Sequence, residues 1–227
     1  MKKEQKSNLL WEAIGKFLLG VFLVGALIFY PAGTMAFGRG WLLMGILFVP
    51  MFAAGLVMIR KNPDLLRRRL QAKEKEREQD LVQKLSGLMF VAGFVLAGLD
   101  FRFGWSCVPL WVTVTASLLF LLAYLGYAEV LRENAYLSRT VEVAKGQHVV
   151  DTGLYGIVRH PMYAVTLLLF ISMPLVLGSW FSLMVFLCYP ALIMKRILNE
   201  EKVLAKDLPG YTEYLQKVRW RLLPFIW

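Results

Sequence analysis

Two short stretches of the chain concentrate the side chains that could bind or activate a substrate. The first is 146–163, GQHVVDTGLYGIVRHPMY, which holds both histidines, His148 and His160. Its glycines permit backbone angles closed to other residues. It ends in Arg159-His160-Pro161 at the edge of an apolar run. A proline suits the first turn of a helix, where its missing N–H costs nothing, so His160 is expected at the N-cap. The N–H groups of such a helix end, with Arg159 beside them, favour an anion. The same residues equally describe a capped helix with a basic anchor at a membrane surface.

The second stretch is 195–201, KRILNEE. Arg196 and Glu200 are four apart and share one helical face, either as an intrahelical ion pair or as two charges offered to a ligand. Glu201 points about 100° away from that face.

The elements that must position these stretches are membrane helices. The chain is 58% hydrophobic and 19% charged, against roughly 45–50% and about 25% in soluble domains. Its mean hydropathy is +0.54. Apolar runs extend from Leu9 to Phe37, Trp41 to Ile59, Leu85 to Leu99 and Val108 to Tyr127, most of them near the ~20 residues that cross a bilayer. FGRG (37–40) and DFRFGWS (100–106) are expected turns. The last apolar region, 161–194, is interrupted by Gly178 and Ser179 after Pro174, which predicts a tight helical hairpin with short arms. The expectation is an all-α polytopic bundle of about six membrane helices in a single domain, 1–227. Residues 1–128 carry the first four helices, and 129–227 carry the chemistry.

Between the second and third runs, residues 60–84 are dense in Arg, Lys, Asp and Glu, and a surface helix is expected there. Basic residues also gather at the N-terminus, in 129–160 and in 195–221, while the opposite connections carry only Arg39 and Arg102. The positive-inside rule therefore predicts cytosolic termini and a cytosolic site. The net charge of +10 fits anionic lipid headgroups. It does not fit nucleic acid, since no basic segment carries a binding module. Cys107 and Cys188 form no CxxC pair and are expected to be buried small apolar residues. The first apolar run lacks the small-residue cleavage site of a signal peptide. The basic and aromatic residues of 217–227 suit an interfacial anchor or part of a lid.

The order Gly153-Leu-Tyr155-Gly-Ile-Val-Arg159-His160-Pro161-Met-Tyr163, then Arg196-Ile-Leu-Asn-Glu200-Glu201-Lys-Val-Leu204, then Gly210-Tyr211-Thr-Glu-Tyr214 and Leu223-Pro224, resembles the isoprenylcysteine carboxyl methyltransferase family and its phospholipid methyltransferase relatives. The resemblance covers roughly 130–227. It implies a membrane methyltransferase that uses S-adenosylmethionine on a lipophilic or lipid-modified acceptor, with no metal. The implied cofactor contacts are Gln147, His148, Val149, Val150, Tyr155, His160, Pro161, Met162, Tyr163 and Glu200, with Arg196 meeting the acceptor's carboxylate. The glutamine that the family carries upstream is missing around Thr140 and Glu142.

No strand leads into a glycine-rich turn, which excludes a Rossmann-type cofactor site. An isoprenylcysteine-like carboxylate is the expected acceptor, and a phospholipid amine is the alternative. A non-enzymatic transporter or scaffold would leave the 146–163 pattern without a purpose.

Overall fold

The computed structural model describes residues 3–70, 77–137, 143 and 146–227. Every regular element among them is helical. The apolar runs become α1 (Lys3–Ala32), α2 (Gly38–Lys61), α4 (Arg77–Phe103) and α5 (Leu110–Glu133), with the short α3 (Pro63–Leu70) between α2 and α4. The last apolar region forms α6 (Pro161–Leu177), α7 (Trp180–Phe186) and α8 (Tyr189–Asp207), and α9 (Tyr211–Lys217) follows.

Five helical stretches are long and apolar enough to cross a membrane: Asn8–Ala32, Gly38–Lys61, Gln79–Phe103, Leu110–Glu133 and Trp180–Asp207. The sixth, α6, has 17 residues, about 26 Å at 1.5 Å per residue against a hydrocarbon core of about 30 Å. The molecule is a polytopic membrane helix bundle. Only the first arm of the hairpin is short, because α7 and α8 run on as one stretch of 28 residues.

Some boundaries differ from the sequence expectation. Gly38 and Arg39 already belong to α2, so the first turn is 33–37. There Gly33 takes a φ of 69°, the left-handed value that ends a helix. Likewise α4 runs through Asp100 to Phe103 before turning at Gly104, whose φ is 65°. In both places tertiary packing carries helix into polar or glycine-bearing sequence.

The region 60–84 is not one surface helix. It contributes the end of α2, all of α3 and the start of α4, while residues 71–76 lie outside the described residues. Asn62 Oδ1 accepts from Leu65 N at 3.2 Å, and Pro63 and Asp64 open the helix as an N-terminus prefers. Leu65 and Leu66 are buried, so α3 is tied to the bundle. Cys107 and Cys188 are exposed. The first sits in the α4–α5 connection and the second at the break between α7 and α8.

The core joins Ile28, Leu43, Phe94, Phe120, Val176, Phe186 and Ile197 from seven helices. The hairpin turns where Gly178 takes a φ of 76° and Ser179 caps α7 by accepting from Ser182 N at 3.0 Å. Asp100 holds this turn, accepting from the Ser179 hydroxyl and, at 2.6 Å, from Ser106 N. Arg39 closes the same end by donating to Val108 O at 2.8 Å.

The helices alternate in direction from this tie. The end of α2, α3, the start of α4, residues 134–137 and 146–160 and the C-terminal tail therefore share the opposite end of the bundle.

Candidate functional site

At that opposite end α6 packs chiefly along α5 and α8 along α4, leaving a wedge. A cavity of about 420 Å³ fills it. Its wall includes Gln147, His148, Val149 and Val150 from the segment before α6, and Tyr155 from a single 3-10 turn at Gly153–Gly156. His160, Met162 and Tyr163 add the N-terminus of α6, and Arg196 and Glu200 add the face of α8. The structure thus brings together all the residues singled out in the sequence except Pro161, which is buried behind the wall as the first residue of α6. Thr140 and Glu142, where a glutamine was sought, lie outside the described residues.

Arg196 and Glu200 are joined through Tyr163. The Tyr163 hydroxyl donates to the Glu200 carboxylate. It accepts from Arg196 Nε at 2.8 Å, and the guanidinium carbon lies 5.9 Å from the Tyr163 ring centre. One phenol therefore sets the orientation of an acid and a cation on the neighbouring helix. Gln79, wholly buried on α4, donates to Arg196 O at 3.2 Å and steadies that turn of α8.

His160 meets Glu201 instead of an open helix end. His160 Nε2 lies 3.3 Å from Glu201 Oε1, Arg159 Nη1 3.2 Å from the same oxygen, and Arg221 Nε 2.9 Å from Oε2. Arg159 N donates to Trp220 O at 2.8 Å and His160 N to Arg221 O at 2.9 Å. The tail thus spends the two N–H groups that precede α6, and the Arg159 charge is shared with Glu201. The tail itself folds back, with Arg221 N and Leu222 N both on Trp227 O at 2.9 Å, and Leu222 enters the core.

The rim of the cavity is aromatic. Asn134 Nδ2 donates to Tyr155 Oη at 3.1 Å, and Tyr214 Oη donates to Tyr155 O at 2.7 Å. Burial pushes the phenols of Tyr155, Tyr211 and Tyr214 well above their ordinary range. Tyr136 Oη lies 3.0 Å from His148 Nδ1. Lys217 bonds Asp151 at 2.6 Å and holds that carboxyl below its usual value, tying α9 to the segment before α6.

Four wall residues had no functional reading from the sequence. Arg69 of α3 lines the cavity and bonds the Tyr127 hydroxyl. In sequence it is one cation among many in 60–84, and nothing local separates it from its neighbours. Tyr211 and Tyr214 stand inside a quoted motif whose spacing assigns them no task. Asn134 looks like a helix-ending residue, and its neighbour Tyr155 is distant in sequence. Glu201 lies behind the wall, and the turn angle on α8 directs it away from Glu200 without naming its partners.

The deep part of the cavity is apolar. Ser86, Gly87 and Phe90 of α4 face Thr166 and Phe170 of α6 and Tyr189 and Ile193 of α8. The Phe170 ring stands 4.7 Å from both Phe90 and Tyr189 and forms a floor. Gly87 is exposed at this wall, and a Cβ there would meet no atom within 4 Å.

Residues 112–206 match the model of the Isoprenylcysteine carboxyl methyltransferase (ICMT) family. No curated protein matches the chain. The matched segment runs from α5 through the hairpin to the end of α8 and contains Arg196, Glu200 and the whole segment from Gln147 to Tyr163. With the helix bundle and the placement of these residues around one cavity, that match shows that residues 112–206 are similar to the ICMT family.

Proposed function

We propose that the cavity binds S-adenosylmethionine and a lipophilic acceptor carrying a carboxylate, of the isoprenylcysteine kind, and that the product is its methyl ester. The observation that carries this reading is the Arg196–Tyr163–Glu200 chain at the junction of a polar chamber and an apolar shaft. When bound, the cofactor supplies a methyl group on a cationic sulfur, open to in-line displacement.

The residues suit that molecule. Glu200 offers a carboxylate to its amine or sulfonium. The volume lies in the ordinary range for small-ligand sites, ≈ 300–1,000 Å³.

Arg196 would orient the acceptor. A guanidinium presents five N–H donors in a plane that matches a carboxylate, and the bond from Nε to Tyr163 fixes that plane. A carboxylate is already ionised near pH 7 and needs no base. An amine acceptor would need one, and both candidates are engaged, His160 with Glu201 and Glu200 with Tyr163. That favours the carboxylate.

From Glu200 to Tyr189 the shaft descends about 16 Å along α8 at 1.5 Å per residue. Its apolar walls suit a lipid chain entering from the side near Gly87, and water kept out of the chamber strips hydration from the acceptor's carboxylate. The basic end of the bundle, and with it the chamber and both termini, faces the cytosol by the positive-inside rule. Residues 1–227 act as one domain, since α3 and α4 from the first half line the same cavity as α6 and α8.

The test is binding of labelled S-adenosylmethionine to the purified protein, followed by methyl transfer to prenylcysteine analogues and to phosphatidylethanolamine. Transfer to the former with none to the latter is expected. Arg196→Ala should lower transfer about ten- to a hundredfold, the scale of a lost charged hydrogen bond, with cofactor affinity little changed. Equal activity of the variant, or methylation of the amine alone, would overturn this reading.

A further inference from the structure

Two donors in the cavity wall are buried and unused. Tyr211 is 4% exposed, and its hydroxyl has no hydrogen-bond partner among the described residues. The Arg159 side chain is 8% exposed, and its Nε is likewise unpartnered among them. Both residues line the cavity. A buried polar group without a partner is costly, so a pair of them on one wall marks where a ligand's acceptor atoms belong.

The charge beside them is unbalanced. Arg159 and Arg221 share the single carboxylate of Glu201, at 3.2 and 2.9 Å. The neighbouring phenol of Tyr214 cannot serve as a counterweight, because its hydroxyl is spent on Tyr155 O at 2.7 Å. Around the Tyr211 ring the wall carries Val149, Leu204 and Leu208, with the Glu200 carboxylate one turn from Leu204 on α8. A full negative charge on the ligand would answer both donors and the surplus cation, through bonds about twice as strong as neutral ones. A purine or a ribose would answer the donors and leave the charge.

We propose that Tyr211 Oη and Arg159 Nε together bind the carboxylate of the methyl donor. The inference rests on the S-adenosylmethionine reading above. The N–H groups of Arg159 and His160, just ahead of α6, are spent on the tail carbonyls and are not offered to that carboxylate. Position agrees as well. The amine and carboxylate of the donor's amino-acid end sit on one carbon, so their partners must be adjacent. Glu200, the partner for the amine, lies one turn from Leu204 on α8. Its charge and that of Arg159 both act on the Tyr211 phenol, which burial raises first of all.

The experiment compares two probes on the full-length protein in lipid nanodiscs by calorimetry. One is S-adenosylhomocysteine. The other is its decarboxylated analogue, which keeps the purine, ribose and amine. Tyr211→Phe should weaken S-adenosylhomocysteine roughly tenfold, the loss of one charge-assisted bond, and leave the analogue within twofold. Retained binding of the analogue also certifies the fold. Without ligand the variant should melt no lower than the parent, because an unpaired buried hydroxyl is removed.

Equal losses for both probes would overturn the assignment and place the contact on the purine or ribose. Unchanged affinity for both would overturn it too. Should Tyr211→Phe fail to fold, Arg159→Lys makes the same comparison, since it keeps the charge and loses the Nε donor. If the parent protein bound neither probe, the cofactor reading itself would fall, and this assignment with it.

Discussion

The Tyr163 phenol on α6 donates a hydrogen bond to the Glu200 carboxylate on α8, so the two helices that diverge from the hairpin turn are rejoined at the level where chemistry would occur. Arg196 completes the chain at 2.8 Å from the same phenol oxygen. Tyr163→Phe removes the link and keeps the ring. Transfer should fall roughly tenfold, the scale of one hydrogen bond to a charged group. The melting temperature should move little, because the apolar packing is retained. Steady-state kinetics with a prenylcysteine analogue and a thermal melt of the same preparation check both halves.

Adjacent acids on α8 should separate into two phenotypes. Glu201 is 8% exposed and joins Arg159, His160 and Arg221. Glu201→Ala leaves buried cations uncompensated and should cost about 3–5 kcal/mol of stability, seen as a large drop in melting temperature and release of the tail to proteolysis. Glu200→Ala should leave the melt close to that of the parent and weaken S-adenosylhomocysteine about tenfold or more by calorimetry.

Alkaline pH should loosen the rim. Tyr155, Tyr211 and Tyr214 have phenols raised by burial. In the unfolded chain the same phenols lose their protons near pH 10, while the folded chain keeps them. The stability they carry is therefore intact below about pH 10 and is lost as the pH rises through the folded values. Melting temperature measured across about pH 8 to 11 should decline at the upper end. The decline should shrink in Tyr155→Phe, which has one phenol fewer to ionise.

Orientation can be read from Cys107, which is exposed in the α4–α5 connection at the end opposite the cavity. In a Cys188→Ser background, a membrane-impermeant maleimide added to intact cells should label Cys107 from outside. Labelling only after the membrane is opened to the cytosolic side would reverse the orientation proposed for the site.

The bundle and its hairpin were legible in the chain because they depend on local quantities. Run lengths of apolar residues set which segments seek lipid. Gly178 and Ser179 mark a turn because one tolerates the left-handed backbone and the other caps a helix. Gln147 to Tyr163 and Arg196 to Glu200 stood out because their order resembles that of the ICMT family, while their charges alone equally describe anchors at a membrane surface. Helix ends at Gly38 and Phe103 were less legible, since glycine and acid at those positions are overridden by packing against the next helix.

Contacts between distant segments were decided only in three dimensions. Nothing in the spacing of α8 says that Glu201 reaches His160, 41 residues earlier in the chain, or that the tail spends the N–H groups ahead of α6. Arg69 became a wall residue because α3 folds back over the cavity, and its sequence neighbourhood of like charges conceals it. The Tyr211 hydroxyl, without a partner among the described residues, is visible only once α9 is seated. The physical reason is common to all four: hydropathy places a segment in or out of lipid, but the direction and partner of a polar group follow from which helices pack together and how far they splay.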